Sequence, residues 1–516
     1  MLKLKNKILP ELPLILTALL TGLIFPPFRS TYLIFFLLIP LISSLKKKPE
    51  RAPVTGFVFG FFMTVTACYW IFFNSGAEPW VRIMSGFGLF VVNGLYYALF
   101  GFLYKQSSRL FAQNAVWAIP VLWAGMETSM LFEELAFPWT YIAHTLTDKT
   151  AFIQIAEFFG VVSVSMAVLY ISILIFESAS HFIRKDFIRT YTRLLTALLI
   201  FFGLLIFGHL RIGHIRDHLH NADTVRAALI HPGLDVEYKW QKENFADIIN
   251  TQMRLSRESL SESPDLIIWG ESNFPRYLEN NPSYIGDFII FAAENRTDLC
   301  IGSLGYDYFP ETDSFKKYNS TFFFDQNKNM VRYDKRKLVP FGESFPFAWI
   351  LTFLKDISLG QANFDKGTDN SPHIMTNGTL FHPIICYEAL FPYYNAHLVR
   401  KGSQFMVNVS NDAWYENTSQ VFQHSRFNVF RAIENRRSVF RLANKAESSV
   451  FLPTGEQRIL FFNETNTQKT AAAPLNSRLT FFTLYGRYFA VMILLFNGAV
   501  LVAAWIFKGK TKPGSQ

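Results

Sequence analysis

Three polar residues each stand where an apolar run ends: Glu271 in "IIWGES", Lys335 in "RYDKRKLVPFGE" and Cys386 in "IICYE". A thiol is reactive only as thiolate, and a free thiol with a pKa of about 8.5 is mostly protonated at neutral pH. A carboxylate beside it takes the proton as general base. An ammonium favours the thiolate and holds the oxyanion that forms when it attacks a carbonyl. Glutamate, lysine and cysteine together make an acyl-transfer site. Alone, each has an ordinary reading: a strand cap, a solvated lysine, and a small buried hydrophobe. It is their joint placement at strand ends that points to chemistry.

The surrounding segments read as the elements that would carry them. "VRAALIHP", "PDLIIWGES", "DLCIGSLGY", "FHPIICYE" and "QFMVNVSNDAW" are continuous apolar runs of strand length, and "NSTFFFDQ" and "MVRYDKRKL" read as strands paired across a turn. "ENFADIINTQMRLSRESL", "YIGDFIIFAAENR" and "QVFQHSRFNVFRAIENRR" have helical spacing, and "SSVFLPTGEQRILFF" reads as a closing hairpin. Continuous apolar strands alternating with helices imply an α/β domain with covered sheets, whose chemistry collects at strand ends.

That domain is only part of the chain. Of 516 residues, 50% are hydrophobic and only 17% charged, with 55 phenylalanines and a net charge of +9. Soluble domains carry roughly 25% charge. The apolar excess lies in runs near the length of about 20 residues that a bilayer requires. Candidate spans are Ile8–Pro26, Thr31–Leu45, Val54–Asn74, Ile83–Tyr104, Ala115–Phe132, Ala151–Glu177, Leu194–Leu210 and Tyr485–Phe507. The expected organisation is therefore a block of seven spans over residues 1–212, an extracytoplasmic catalytic domain over 213–480, and a last span with a cytoplasmic tail over 481–516. "MLKLKNK", "LKKKPER", "YKQSSRL", "HFIRKDFIRTYTR" and "KGKTKPGSQ" fall on alternate sides of the spans, which puts these basic segments together on the cytoplasmic face. The positive charge thus has a topological reading, and no nucleic-acid partner is expected. Three cysteines are too few for a disulfide framework. Glu127 and Glu157 fall in or beside spans, where a carboxylate serves either function or a hydrogen bond to a neighbouring helix.

The motifs resemble the nitrilase superfamily, and the chain as a whole resembles its membrane-embedded branch, the apolipoprotein N-acyltransferase family. "IIWGESNFP", "LVPFGESFPF", "IICYEALFP", "VNVSNDAWY" and "FIQIAEFFGVVSVS" carry the likeness. The resemblance implies a polytopic helical membrane domain of about eight spans joined to an αββα sandwich. It implies Glu271, Lys335 and Cys386 as catalytic residues, and prefers Lys335 over the nearby Lys337. Glu343, Tyr387 and Glu388 would support them, and Trp414 and Tyr415 would lie at the substrate mouth. It further implies that "FAWILTFLKDISLGQANFDKG" forms an arm against the membrane. The family pattern "T-N-x-G" is replaced here by "RLANKAESSV", which keeps Asn444 but has no obvious glycine.

The implied reaction moves an acyl chain from a membrane phospholipid, through a thioester on the cysteine, to the α-amino group of a diacylglyceryl-modified cysteine of a lipoprotein. No metal or soluble cofactor is required, and a monomer in a bacterial inner membrane with a periplasmic catalytic domain is expected. Two other readings stand beside it: a membrane-tethered nitrilase-type amidase, and a non-enzymatic transporter with an external domain. The number of spans exceeds what an anchor needs, and an intact Glu–Lys–Cys set argues against a non-enzyme.

Overall fold

The computed structural model describes residues 12–29, 31–132, 135–344, 346–347, 363–368, 371–462 and 464–507. Most of the expected arm, residues 348–362, lies outside them, as do residues 1–11 and 508–516.

The apolar N-terminal part folds as helices α1 (Leu12–Leu23), α2 (Ile39–Lys47), α3 (Ala52–Ala67), α4 (Pro79–Phe111), α5 (Ile119–Ser129), α6 (Val161–Ile183) and α7 (Phe187–Leu219). Four helical segments qualify as spans by length and composition: Pro79–Ser129, Val161–Ile183, Phe187–Leu219 and the C-terminal Phe481–Phe507. Several of the expected spans are shorter or interrupted, for local reasons. Pro40 stands in the first turn of α2, and Thr31–Leu33 and Ile34–Leu37 precede it as separate short helices. The segment expected at Ala151–Glu177 breaks at Gly160, whose φ of 75° takes the chain out of one short helix before α6 begins. The one expected at Ala115–Phe132 shrinks to α5, whose eleven residues are nearly all buried among neighbouring helices.

Between α7 and the last helix lie two six-stranded sheets. The first has the order β12-β1-β2-β3-β4-β5 and the second β11-β10-β9-β8-β7-β6. In the first sheet, β1 (Thr224–His231), β2 (Leu266–Tyr277) and β3 (Asp298–Phe309) are parallel neighbours. β4 (Ser314–Phe324) and β5 (Met330–Asp334) extend it antiparallel, and β12 (Thr467–Pro474) closes its other edge. In the second, β7 (Leu380–Ile385), β8 (Phe405–Asn411) and β9 (Ser438–Asn444) are parallel. β6 (His373–Ile374) pairs antiparallel at one edge, and the hairpin of β10 (Ser448–Phe451) and β11 (Gln457–Phe461) completes the other.

Side-chain alternation explains the layers. Leu266 and Ile268 of β2 point between the sheets, where they meet Phe381, Phe405 and Phe440. Ile267 and Trp269 point the other way, onto α9 (Phe245–Ser259) and α10 (Pro282–Asn295); α8 (Val236–Trp240) is the short helix before α9. The outer face of the second sheet is covered by α11 (Pro392–Arg400) and α12 (Gln420–Asn435). Here the layering departs from a free-standing domain. Ile384 and Met406 of the sheet, and Phe430 and Ile433 of α12, share one core with membrane-block residues such as Phe152 and Val161. The sandwich therefore sits on the helices rather than beside them. The final helix α13 (Phe481–Phe507) packs against α4 and α5.

Candidate active site

Glu271 owes its position to a break in β2. The ladder with β3 runs regularly to Trp269–Ile301 and resumes only at Phe274–Ser303. In the gap Ser272 takes a φ of 50°. Residue 302 on β3 is glycine because a Cβ there would run into the Gly270 carbonyl and lie 2.9 Å from Glu271 Cα. The Glu271 carboxylate thus leaves the sheet, nearly fully buried, and accepts hydrogen bonds from Asn319 Nδ2 (2.7 Å) and the Asn411 backbone N–H (2.6 Å). Its backbone carbonyl accepts from the buried ammonium of Lys239, at 2.8 Å.

Lys335 is the first residue beyond β5, tied down by its N–H to the Asn319 carbonyl at 2.8 Å. Only 1% exposed, its ammonium donates to Glu343 Oε1 at 2.8 Å and lies 3.8 Å from Glu271 Oε1. Burial opposes its charge, but Glu343, Cys386 and Glu271 together outweigh burial and hold its pKa above the ordinary lysine value. Lys337 goes elsewhere: its ammonium lies 5.3 Å from the centre of the Phe391 ring. Glu343 is itself fixed in a turn, accepting from Val339 N–H (3.0 Å) and sharing Asn319 Nδ2 (3.1 Å) with Glu271.

Cys386 follows β7 directly. Its φ of 52° turns the chain sharply into the short helix Cys386–Leu390, so the thiol projects from the strand end. A non-glycine residue held there signals a conformation imposed by its surroundings. Burial and the nearby Glu271 push the thiol pKa up, and Lys335 only partly opposes them. The resting group is therefore a thiol that needs a base. Glu388 braces this corner. Its carboxylate accepts from Ile385 N–H (2.8 Å), Arg336 N–H (2.7 Å) and Tyr333 Oη (2.7 Å), joining the end of β7 to the end of β5. Burial raises its pKa. Tyr387 points the other way, its hydroxyl donating to the Ala136 carbonyl at 2.5 Å and its ring packed on Phe137.

Glu271, Glu343, Cys386 and Tyr387 line one cavity of about 860 Å³, with Lys335 buried behind the acids. Trp414 and Tyr415 line it too. Trp414 lies against Gly76, its carbonyl accepting from Ser75 N–H at 2.9 Å; Tyr415 Oη accepts from Asn74 Nδ2 at 3.1 Å. Both hold the loop between α3 and α4 against the sandwich. A mostly apolar wall comes from α4 itself, through Trp80, Val81, Met84 and Leu89, with Arg82 and Ser85 among them. One end of the cavity is polar and the other is made by a membrane helix.

Three residues at the site stand in no motif visible in the sequence, Lys239, Asn319 and His424, while Asn411 and Asp412 lie within "VNVSNDAWY". Burial and Glu271 act oppositely on Lys239, and burial wins, lowering its pKa to about 8. Asp412 bonds His424 Nδ1 (2.8 Å), Ser410 Oγ (2.9 Å) and the Arg441 guanidinium (2.5 Å). Burial works against its charge, but His424 and Arg441 win and hold its carboxyl at about 2. Cys386, Asp412 and His424 bring one ligand atom each within 4.8 Å of one another. The arginine already seated on the carboxylate makes them a poor cation cage.

Glu127 and Glu157 are not at this cavity. Glu127 accepts from Trp123 Nε1, Ile142 N–H and Ser165 Oγ, all within the helical block. Glu157 bridges Arg211 of α7 and Arg436 beyond α12. Asn444, at the end of β9, donates to Asn411 Oδ1 and to the Leu234 carbonyl, which places it one strand away from the Glu271 anchor.

Comparison with known proteins gives two family matches. Residues 17–174 match the apolipoprotein N-acyltransferase N-terminal domain and residues 227–477 match the carbon-nitrogen hydrolase family. An apolipoprotein N-acyltransferase of Geobacter metallireducens is 28% identical over 504 residues, covering 96% of this chain and 95% of the relative. That of Rickettsia prowazekii is 27% identical, over 93% and 96% respectively. That of Chlorobaculum tepidum is 25% identical, over 92% of each. Among solved structures, Saccharomyces cerevisiae Nit3, of branch 10 of the nitrilase superfamily, aligns at a TM-score of 0.37 and 16% identity, over 51% of this chain and 94% of that one.

Proposed function

Because the chain belongs to the apolipoprotein N-acyltransferase family of the nitrilase superfamily, we propose that it N-acylates lipoproteins by two acyl transfers through Cys386. The observation that carries this reading is the composition of one cavity: carboxylates, a buried ammonium and a cysteine at one end, and a mostly apolar face of α4 at the other.

In the first transfer a phospholipid lies with an acyl tail along α4 and its ester carbonyl at Cys386. Glu271 takes the thiol proton and the sulfur attacks the carbonyl carbon. Lys335 and a backbone N–H hold the oxyanion. On collapse the lysophospholipid alkoxide leaves with the proton held by Glu271, and a thioester remains. In the second, the α-amino group of a diacylglyceryl cysteine attacks the thioester. Glu271 accepts a proton from the amine and returns it to the leaving sulfur, giving an amide and the free thiol. Glu343 keeps Lys335 charged and in place, and Glu388 keeps the two strand ends in register. The membrane block brings both lipid-borne substrates to the site without extraction from the bilayer.

Intact-mass spectrometry after incubation with phosphatidylethanolamine tests the first transfer. The expected result is an increment of one acyl chain on the wild type, released by neutral hydroxylamine and absent from Cys386→Ala. Lysophospholipid release without any adduct would point to direct hydrolysis instead.

A further inference from the structure

Among the described residues that line the cavity at Cys386, Arg82 is the one lysine or arginine. The carboxylates there already have partners. Glu343 holds the ammonium of Lys335, Asp412 holds Arg441, and Glu271 accepts from Asn319 and the Asn411 N–H. Arg82 makes no ion pair with a described residue. Its Nε donates to the carbonyl of Ala77 at 2.6 Å, and Ala77 itself lines the cavity. That bond docks the guanidinium at the cavity wall and leaves both Nη groups as a fork of donors, the shape that meets a pair of phosphate oxygens. A half-buried cation among mostly apolar walls attracts an anion more strongly than one in water.

The position along α4 narrows the choice of anion. Arg82 lies in the first turn of α4, at the end that the Trp414 and Tyr415 contacts hold to the sandwich. Trp80, exposed and also in the lining, marks that end as a membrane–water interface. Beyond Arg82 the lining continues down one stripe of the helix through Met84, Ser85, Gly88, Leu89 and Val92. The rise from Arg82 to Val92 is about 15 Å, near half the roughly 30 Å hydrocarbon core. A Cβ added at Gly88 would meet no atom within 4 Å, so there is room beside the middle of the stripe. A glycerophospholipid laid here has its phosphate beside Arg82 and one leaflet's depth of acyl chain along α4. The diacylglyceryl cysteine of the acceptor has esters and tails but no phosphate, so this arginine tells donor from acceptor.

We propose, on the reading of a phospholipid donor given above, that Arg82 binds the phosphate of the donor and sets its ester at Cys386. It thereby selects phospholipids over phosphate-free glycerides as the source of the acyl chain.

The test is single-turnover formation of the acyl increment on Cys386 by the full chain in detergent, over a range of lipid concentrations. The donors are phosphatidylethanolamine and diacylglycerol with the same acyl chains. At limiting lipid the wild type is expected to load from phosphatidylethanolamine faster by about tenfold or more. Arg82→Gln should lose most of that preference, through a higher half-saturating concentration of phosphatidylethanolamine rather than a lower maximal rate, and Arg82→Lys should recover part of it. Equal loading of the wild type from both lipids would overturn the proposal while leaving the thioester reading in place. So would a preference unchanged in Arg82→Gln, or a loss of the same size with both donors, which is what a misshapen cavity gives. No increment on the wild type from either lipid would overturn the thioester reading itself, and the role of Arg82 with it.

Discussion

Glu271 and Glu343 share both Lys335 and Asn319, so a change at any one of the four alters the others. Lys335→Met leaves two carboxylates facing each other without a cation and removes the proposed oxyanion partner. Formation of the acyl increment should slow by about 10²–10³-fold, read as a single-turnover rate. Glu343→Gln keeps the shape but weakens the hold on Lys335, and a smaller loss of about tenfold is expected in the same assay. Asp412 gives a pH prediction. Its folded carboxyl is held at about 2, below the unfolded value of about 3.9. The stability it contributes is therefore fully present above pH 4 or so and is lost as pH falls toward 2. Thermal unfolding of Asp412→Asn should be less sensitive to pH in that acid range than that of the wild type, though lower at neutral pH, because Arg441 loses its counter-charge; an equal acid response would contradict the assignment. Glu271, Lys335, Glu343 and Cys386 were legible because each stands in a distinctive stretch. Lys239, Asn319 and His424 were not. They are ordinary polar residues until folding carries them from distant segments to Glu271 and Cys386.

At the level of elements, the site is made by irregularities. β2 breaks its ladder around Glu271, and β7 ends in a left-handed turn at Cys386. Gly302→Ala should show what the first break requires. Its methyl group would push β3 away from the Gly270 carbonyl and carry Glu271 with it, costing about 1–3 kcal/mol of stability together with activity. A variant as active as wild type would mean that the break tolerates more room than its geometry allows. The alternation of Leu266, Ile267, Ile268 and Trp269 could be read from sequence, since strand period dictates it. The interruptions could not, because a left-handed serine or cysteine has no signature. The membrane block differs: hydropathy finds apolar runs but averages over the Pro40 and Gly160 at which they break.

Across the whole molecule, the sandwich and the helical block behave as one packed body. Gln423 of α12 accepts from Trp70 and Trp139 Nε1 and donates to the Ala67 carbonyl, so a single side chain joins three points of the helical block to the catalytic side. Glu157 adds an ion bridge to Arg436 and Arg211. Glu157→Gln leaves two arginines without their counter-charge, and a loss of about 3–5 kcal/mol is expected, seen as a lower unfolding temperature in detergent. An unchanged unfolding temperature would show that the junction does not rely on this bridge. The joint matters because the catalytic cavity takes its apolar wall from α4 and its polar end from the sheets. The proposed role of this shared cavity is to pass an acyl chain from lipid to an amine. It is tested most directly by isolating the acylated enzyme and adding a diacylated lipopeptide with a free N-terminal cysteine amine. The increment on Cys386 is expected to disappear as the triacylated lipopeptide appears, at matching rates, and to stay in place with an N-acetylated lipopeptide. Discharge at the same rate with or without a free amine would contradict it.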